Sequence, residues 1–189
     1  MATKGHLFII SGPSGAGKST ILSAILKKRP QLRYSISYTT RLPRGNEEDG
    51  VDYHFVSEAV FRQKIDEGEF AEWAEVHGYL YGTSATYVEE VLARGLDILF
   101  DIDVQGAKRL SAKYPEAISV FVRPPNMEEL EKRLLKRGVD SPEAVQRRLK
   151  NAEAEVAQAR DYNHIVVNDD LAQTVSDLES IIEQVSANG

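Results

Sequence analysis

The chain of 189 residues contains no cysteine, which excludes disulfide bonds, thiolate metal sites and a cysteine nucleophile. Long apolar runs are also missing. The opening residues, MATKGHLFIISG, hold an apolar stretch too short for a signal peptide, and no later run reaches the length of a membrane span. These absences favour a soluble protein of the cytoplasm that has no membrane partner.

Basic residues are fewer than acidic ones. The chain has 23 Lys and Arg against 29 Asp and Glu, a formal net charge of −6. This balance argues against a protein that coats nucleic acid. The length suffices for one domain with a sizeable core, together with small appended subdomains. The sequence leaves the oligomeric state open.

Short apolar runs alternate with helical patterns along much of the chain. The runs HLFIIS, DILFDID, AISVFV and HIVVN each predict a buried strand. Helical spacing of apolar residues follows at 18–29, 104–115 and 171–185, and the first two helices are expected to end before Pro30 and Pro115. Strands that alternate with helices predict a parallel α/β sheet of the P-loop NTPase type, flanked by helices.

Two segments interrupt this alternation. Residues 36–86 predict a small mixed sheet from YHFV and EFAEWAEV, with a helix over 57–68 between these runs. Residues 127–158 predict two charged helices, the second with Ser141 as N-cap and Pro142 at its first position. The expected parts are a core (1–35, 87–126 and 159–189), an inserted α/β subdomain (36–86) and a helical lid (127–158).

The stretch GPSGAGKST matches the phosphate-loop pattern G-x-x-x-x-G-K-[ST] in full. Glycines let backbone N–H groups approach phosphate oxygens, and the N-terminus of the following helix adds partial positive charge. Lys18 would reach the outer phosphates, and the Ser19 hydroxyl would ligate Mg²⁺. An ordinary glycine-rich turn is disfavoured because a strand precedes the loop and a helix follows it. The expected ATP site comprises Gly12, Pro13, Ser14, Gly15, Ala16, Gly17, Lys18, Ser19 and Thr20.

Acidic residues end one of the predicted strands. Asp101 and Asp103 lie two positions apart in ILFDID, so on a strand they would face the same side. A P-loop protein needs an acidic residue near the metal, which makes Asp101 a candidate Mg²⁺ ligand beside Ser19. The alternative is a pair of solvated carboxylates at a strand end.

A second phosphate site is indicated by SISYTTRLPRGNEEDGVDYHF. Arg41 and Arg44 flank Pro43, which restricts the backbone between them, and two adjacent guanidinium groups suit a phosphate. Tyr53 and Tyr81 offer hydroxyl donors without added charge. A solvated loop with incidental arginines is the alternative.

Five motifs together resemble the guanylate kinase family. They are GPSGAGKST, SYTTRLPRGNEEDGVDYHF, EFAEWAEVHGYLYGTS, DIDVQGAK and the paired KRG and RRL of the lid. The likeness runs from residue 12 to about residue 170. It implies Mg²⁺-dependent transfer of the γ-phosphoryl group of ATP to GMP, and also to dGMP.

The resemblance also implies roles for individual residues. Arg41, Arg44, Tyr53 and Tyr81 would bind the GMP phosphate, whereas Glu47 either orients the arginines or is a solvated loop acid. Guanine presents N1–H and the N2 amino group side by side, so one carboxylate accepts from both, and adenine has no matching pair of donors. The residues implied to read guanine are Ser37, Glu72, Thr83, Asp101 and Asp103, without a decision on which aspartate faces the base and which the metal.

Arginines recur on the two lid helices. Ion pairing on a solvated helix is favoured for Arg133, one turn after Glu129, and for Arg147. The resemblance implies instead that Arg137 and Arg148 close over the ATP phosphates and stabilise charge on the transferring group. Asn168, at a strand end, is implied to contact adenine. The expected catalytic residues are therefore Lys18, Arg41, Arg137 and Arg148.

Two other functions fit parts of the pattern. Some guanylate-kinase-like domains are catalytically silent adaptor modules that bind proteins, but these typically have a degraded phosphate loop. Lys18 and Ser19 are both present here. A related kinase for another phosphorylated acceptor is the second alternative, and Glu72 beside Trp73 fits guanine better.

Overall fold

Two sheets form the framework of the computed structural model, which describes residues 4–76, 78–136 and 141–188. In this part of the chain the strands are β1 (Leu7–Ser11), β2 (Arg33–Tyr34), β3 (Tyr38–Thr39), β4 (His54–Phe55), β5 (Phe70–Val76), β6 (Tyr79–Ser84), β7 (Ile98–Asp101), β8 (Ile118–Arg123) and β9 (His164–Val167). The helices are α1 (Lys18–Lys28), α2 (Glu58–Asp66), α3 (Ala85–Ala93), α4 (Val104–Lys113), α5 (Met127–Lys136), α6 (Pro142–Val156) and α7 (Leu171–Asn188).

The larger sheet has the strand order β2-β7-β1-β8-β9, and every neighbouring pair is parallel. The predicted parallel sheet flanked by helices is confirmed. β2 was not predicted, since a strand of two residues gives no measurable periodicity. Helix α3 was not predicted either, and it packs against both β7 and β5.

Alternate residues of β1 enter two separate cores. Phe8 and Ile10 pack on one face with α1 and α7, whereas Leu7 and Ile9 pack on the other with α3 and α4. All four side chains are at most 2% exposed. A strand buried on both faces needs a continuous apolar run, which explains HLFII.

The smaller sheet is mixed, with the order β4-β3-β6-β5. β3 pairs parallel with β4, while β6 runs antiparallel to both β3 and β5. Helix α2 covers this sheet through Phe61, whose ring lies 4.5 Å from that of Phe70. The predicted strands at YHFV and EFAEWAEV and the predicted helix between them are confirmed in β4, β5 and α2.

The pair α5 and α6 has a small apolar core of its own, formed by Leu130, Leu134, Val145 and Ala152. The Ser141 hydroxyl accepts a hydrogen bond from the backbone N–H of Ala144, so the predicted N-cap is confirmed. The predicted helix ends before Pro30 and Pro115 are also confirmed, because α1 stops at Lys28 and α4 at Lys113. The division of the chain into core, inserted subdomain and lid stays a prediction.

None of the helices in the described ranges is both long enough and apolar enough to cross a bilayer.

The buried ring of Phe61 gives a test of the smaller sheet's core. Phe61 is 0% exposed, whereas its neighbour Val60 on the same helix is 41% exposed. We expect F61A to lower the free energy of unfolding by about 3–5 kcal/mol, because it leaves a cavity. V60A should change it by less than about 0.5 kcal/mol. Denaturant titration measures both, and equal losses would show that Phe61 does not hold this sheet to α2.

Candidate active site

A cleft of about 270 Å³ separates the phosphate loop from the smaller sheet. Both sheets, the loop and helix α6 contribute to its walls. The lining residues are Gly12, Ser14, Gly15, Gly17, Lys18, Ser19, Ser37, Tyr53, Glu72, Ala74, Val76, Tyr81, Asp101, Ile102, Asp103 and Glu155.

The phosphate loop wraps tightly around the start of α1. A Cβ on Gly12 would lie 2.0 Å from the carbonyl oxygen of Val122, and Gly12 has φ +141°, so only glycine fits there. Gly17, with φ +92°, caps α1 without a side-chain hydrogen bond to the helix. The N-terminal N–H groups of α1 are therefore arranged in a way that suits an anion. Lys18 Nζ donates to the carbonyl oxygen of Gly12 at 2.7 Å.

The remaining predicted loop residues frame this site. Pro13 and Ala16 are buried, Ser14 is exposed at the cleft, and Thr20 is exposed on the first turn of α1.

Asp101 ends β7 beside the loop. The Ser19 hydroxyl donates to Asp101 Oδ2 at 3.5 Å, and Lys18 Nζ lies 4.0 Å from Oδ1. Burial raises the pKa of Asp101, and Lys18 and Ser19 oppose this shift. Hydroxyl and carboxylate oxygens are donors that Mg²⁺ prefers, so this pair fits that ion. Across the described ranges no group of three or more His, Asp or Glu side chains could hold a metal by itself.

Asp103 reaches the cleft by a different route from the one predicted. β7 ends at Asp101, so strand alternation does not put the two carboxylates on one face. Asp103 is instead the N-cap of α4, where its Oδ1 accepts a hydrogen bond from the Gly106 N–H at 2.9 Å. The two aspartates do share the cleft.

Glu72 and Thr83 form a buried polar pair opposite the loop. They face each other across β5 and β6, and the Thr83 hydroxyl donates to Glu72 Oε1 at 2.7 Å. Burial raises the pKa of Glu72 to about 7. The Thr83 hydrogen bond and the charge of Arg109 oppose this shift, and the charge of Asp103 adds to it. The carboxylate is therefore strongly desolvated, which makes it a demanding acceptor for ligand N–H groups.

Arg41 is held rigidly within its loop. Nη1 donates to the carbonyl oxygen of Leu42 at 2.8 Å, and Nη1 and Nη2 donate to the two oxygens of Glu47 at 2.9 and 3.0 Å. The hydrogen bond from Arg41 lowers the pKa of Glu47. Glu47 also accepts from the backbone N–H of Arg44 at 2.7 Å. Glu47 thus orients Arg41 and shapes the loop, while Arg44 is exposed.

Two tyrosines connect this loop to the cleft. The guanidinium carbon of Arg41 lies 5.3 Å from the centre of the Tyr53 ring. Tyr53 packs edge-on against Tyr81 with ring centres 6.0 Å apart, and both line the cleft with Ser37. Burial raises the pKa of Tyr53 to about 12. Its hydroxyl stays protonated and available as a donor at neutral pH.

The structure describes one of the two lid arginines that were expected to act on ATP. Arg137 lies outside the described residues, and Arg148 is half-buried on α6 and is not one of the lining residues given above. Arg147 is exposed. Arg133 has the predicted ion pair with Glu129, at 3.7 Å.

Gly106 and Glu155 were not recognised as site residues from the sequence. Gly106 lies in the first turn of α4, and a Cβ there would be 2.9 Å from Glu72 Oε2. The sequence feature that could have revealed it is a glycine inside a helical pattern, which often has a packing reason. Glu155 lines the cleft from α6, and burial raises its pKa. It gave no signal because nothing in the sequence distinguishes it from Glu153, two positions earlier.

A parallel sheet whose first strand runs through this loop into α1 defines a P-loop nucleotide-binding protein. A shikimate kinase from Bacteroides thetaiotaomicron is similar in fold alone, with a TM-score of 0.52 at 13% identity over 94% of this chain and 98% of that one. A crystal structure of guanylate kinase from Anaplasma phagocytophilum has a TM-score of 0.81 at 30% identity, over 97% of this chain and 87% of that one.

Comparisons of the sequence point to one family. The guanylate kinase family model matches residues 4–185. A guanylate kinase from Symbiobacterium thermophilum is 50% identical over 179 residues, covering 95% of this chain and 85% of that protein. One from Dechloromonas aromatica is 47% identical over 178 residues, covering 94% and 88%. The chain belongs to the guanylate kinase family.

The buried pair predicts how the pKa of Glu72 responds to its neighbours. Thr83→Val removes the hydrogen bond that favours the ionised carboxylate, so the pKa should rise above its value of about 7. Asp103→Asn removes a repelling charge, so the pKa should fall. A ¹³C NMR titration of the Glu72 carboxyl measures both shifts. The exposed Glu75 on the same strand supplies the control, because E75Q should leave the titration of Glu72 unchanged. Shifts of the same sign in the Thr83 and Asp103 variants would contradict the opposite effects assigned to these two residues.

Proposed function

We propose that this chain is a guanylate kinase that transfers the γ-phosphoryl group of ATP to GMP, or dGMP, and releases ADP and GDP or dGDP. One observation carries the proposal. A single cleft has the phosphate loop on one wall and the buried Glu72–Thr83 pair on the other. A triphosphate and a purine base therefore fit the same cavity from opposite sides. The cytoplasmic location stays a prediction.

The donor side would bind ATP through the loop. The N–H groups at the start of α1 and the Lys18 ammonium would surround the outer phosphates, so that positive charge meets the oxygens that become more negative. Ser19 and Asp101 would hold Mg²⁺, which neutralises phosphate charge when bound. Lys18 would exchange its contact with the Gly12 carbonyl for phosphate oxygens.

The acceptor phosphate would bind at Arg41, Arg44, Tyr53 and Tyr81. Two N–H groups on Nη1 and one on Nη2 of Arg41 are bound to Leu42 and Glu47. A guanidinium has five N–H groups, so others remain for a phosphate while Glu47 fixes the plane of the group. The neutral tyrosine hydroxyls would add donors.

The acceptor base would be read by the Glu72 carboxylate with Ser37, Thr83 and Asp103. Thr83 occupies Oε1 of Glu72 as a donor, which leaves lone pairs on both oxygens for N1–H and the N2 amino group of guanine. Adenine would leave a buried carboxylate without donors, and such mismatches discriminate by orders of magnitude.

Catalysis would consist of positioning and charge neutralisation. The acceptor phosphate is already anionic, so transfer requires no general base. Arg137 and Arg148 would approach the transferring group when the helical lid closes, and closure would exclude water that otherwise hydrolyses ATP. Of the two alternatives, the intact loop disfavours a silent adaptor, and the buried Glu72 disfavours an acceptor without paired donors.

Loss of single positive charges tests the catalytic assignment. Lys18→Met and Arg44→Met should each lower kcat by about 10²–10³-fold, because each removes a group that binds phosphate charge. Coupled measurement of ADP release with ATP, Mg²⁺ and GMP gives the rates. Arg62→Met is the control, since Arg62 is an exposed residue that pairs with Glu58 on α2. Wild-type rates in either test variant would contradict its role, and no GMP-dependent release by the wild type would favour the adaptor.

A panel of acceptors tests base recognition. We expect turnover with GMP and dGMP to exceed that with AMP, CMP and UMP by at least about 10³-fold. Glu72→Gln should lose most GMP turnover, because the amide presents a donor to guanine donors, while ATP binding is kept. Comparable turnover of AMP by the wild type would contradict the assignment of Glu72.

A further inference from the structure

Asn168 follows β9 and is only 7% exposed. Its Nδ2 donates to the carbonyl oxygen of Ala16 in the phosphate loop at 2.7 Å. The Thr174 hydroxyl lies 3.3 Å from Oδ1, but it donates its one hydrogen to the nearer backbone carbonyl oxygen of Asp170, at 2.6 Å. The backbone N–H of Asn168 donates to the carbonyl oxygen of Arg123 at 2.8 Å. The amide nitrogen is bound to the loop and the backbone of Asn168 to the end of β8, so the side chain is held against the loop.

The bond to Ala16 acts on the peptide group between Ala16 and Gly17. In a trans peptide the C=O and N–H groups point in opposite directions, and the described chain has no cis peptide. Holding the Ala16 carbonyl from outside the loop therefore directs the Gly17 N–H toward its inside. A Cβ on Gly17 would lie 2.3 Å from Asn168 Nδ2, which shows how closely the amide packs here.

The first lid helix rests on the same loop. A Cβ on Gly15 would lie 2.9 Å from Leu130 and 3.1 Å from Leu134, both buried residues of α5. Arg133 on this helix donates from Nη2 to the backbone carbonyl oxygen of Asn168 at 2.9 Å. Asn168 is thus the meeting point of the loop, the end of β9 and α5.

We propose that Asn168 is a positioning residue that aims the phosphate loop and ties it to α5, a role that is separate from any contact with adenine. The inference rests on the proposed function, because it takes the loop to bind the phosphates of the donor. Several N–H donors bind one phosphate tightly when they already point at it. A peptide group that must first be ordered costs conformational entropy, which lowers the affinity for the phosphate. The fixed amide supplies that orientation at Gly17.

The neutral variant Asn168→Leu tests this role, because it keeps a similar shape and removes the donor to Ala16 without adding charge. The probes are ADP and inorganic tripolyphosphate, which has no base, with dissociation constants from calorimetry. We expect both ligands to bind about tenfold more weakly, the effect of one lost hydrogen bond. GMP binding, followed by the fluorescence of Trp73, the single tryptophan, should be unchanged.

Other results would overturn the inference. A loss confined to ADP would indicate a base contact, and a lower melting temperature with unchanged affinities would indicate a purely structural role. A wild-type chain that binds neither ligand would overturn the proposed function itself.

Discussion

β1 is hydrogen-bonded on both edges to parallel strands, and this pairing determines where the phosphate-binding groups lie. Ile10 is in register with Asp101 on β7 and with Val120 on β8, so three segments of the chain end at one edge of the sheet. The loop after β1 meets Asp101 on one side and the Val122 carbonyl on the other. Since β9 pairs with β8 in the same direction, Asn168 also arrives at this edge.

The fold was largely predictable because its core obeys local rules. Several features act through residues close in the sequence. They are the apolar runs buried on both faces, the N-cap Ser141 and the helix stop at Pro30. The strands that escaped prediction depend on distant partners. β2 has two residues and exists because β7 lies beside it, and β3 is equally short and pairs with β4 and β6.

The residues of the site also differ in how far the sequence could predict them. The loop, Arg41 and Glu72 were recognisable from residue type and motif, but the sequence could not give the pairing of Arg41 with Glu47, because a loop acid has many alternatives. Strand alternation was the wrong reason for bringing Asp101 and Asp103 together, since the chain turns into α4 between them. Gly106 escaped prediction because its importance lies in what packs against it, and the contact of Asn168 with Ala16 joins residues 152 positions apart in the sequence.

The uncapped start of α1 links the stability of the fold to its ligand. Most helices satisfy their first N–H groups with a side chain, as Ser57, Ser84 and Ser141 do here. Gly17 has no side chain that could do this, and an anion bound at this position would accept from these N–H groups instead. A ligand that binds only the folded state shifts the folding equilibrium by mass action, by about 2.7 kcal/mol at a concentration of 100 times Kd. A nucleotide held at the start of α1 would therefore raise the free energy of unfolding of the whole domain as well as occupy the cleft.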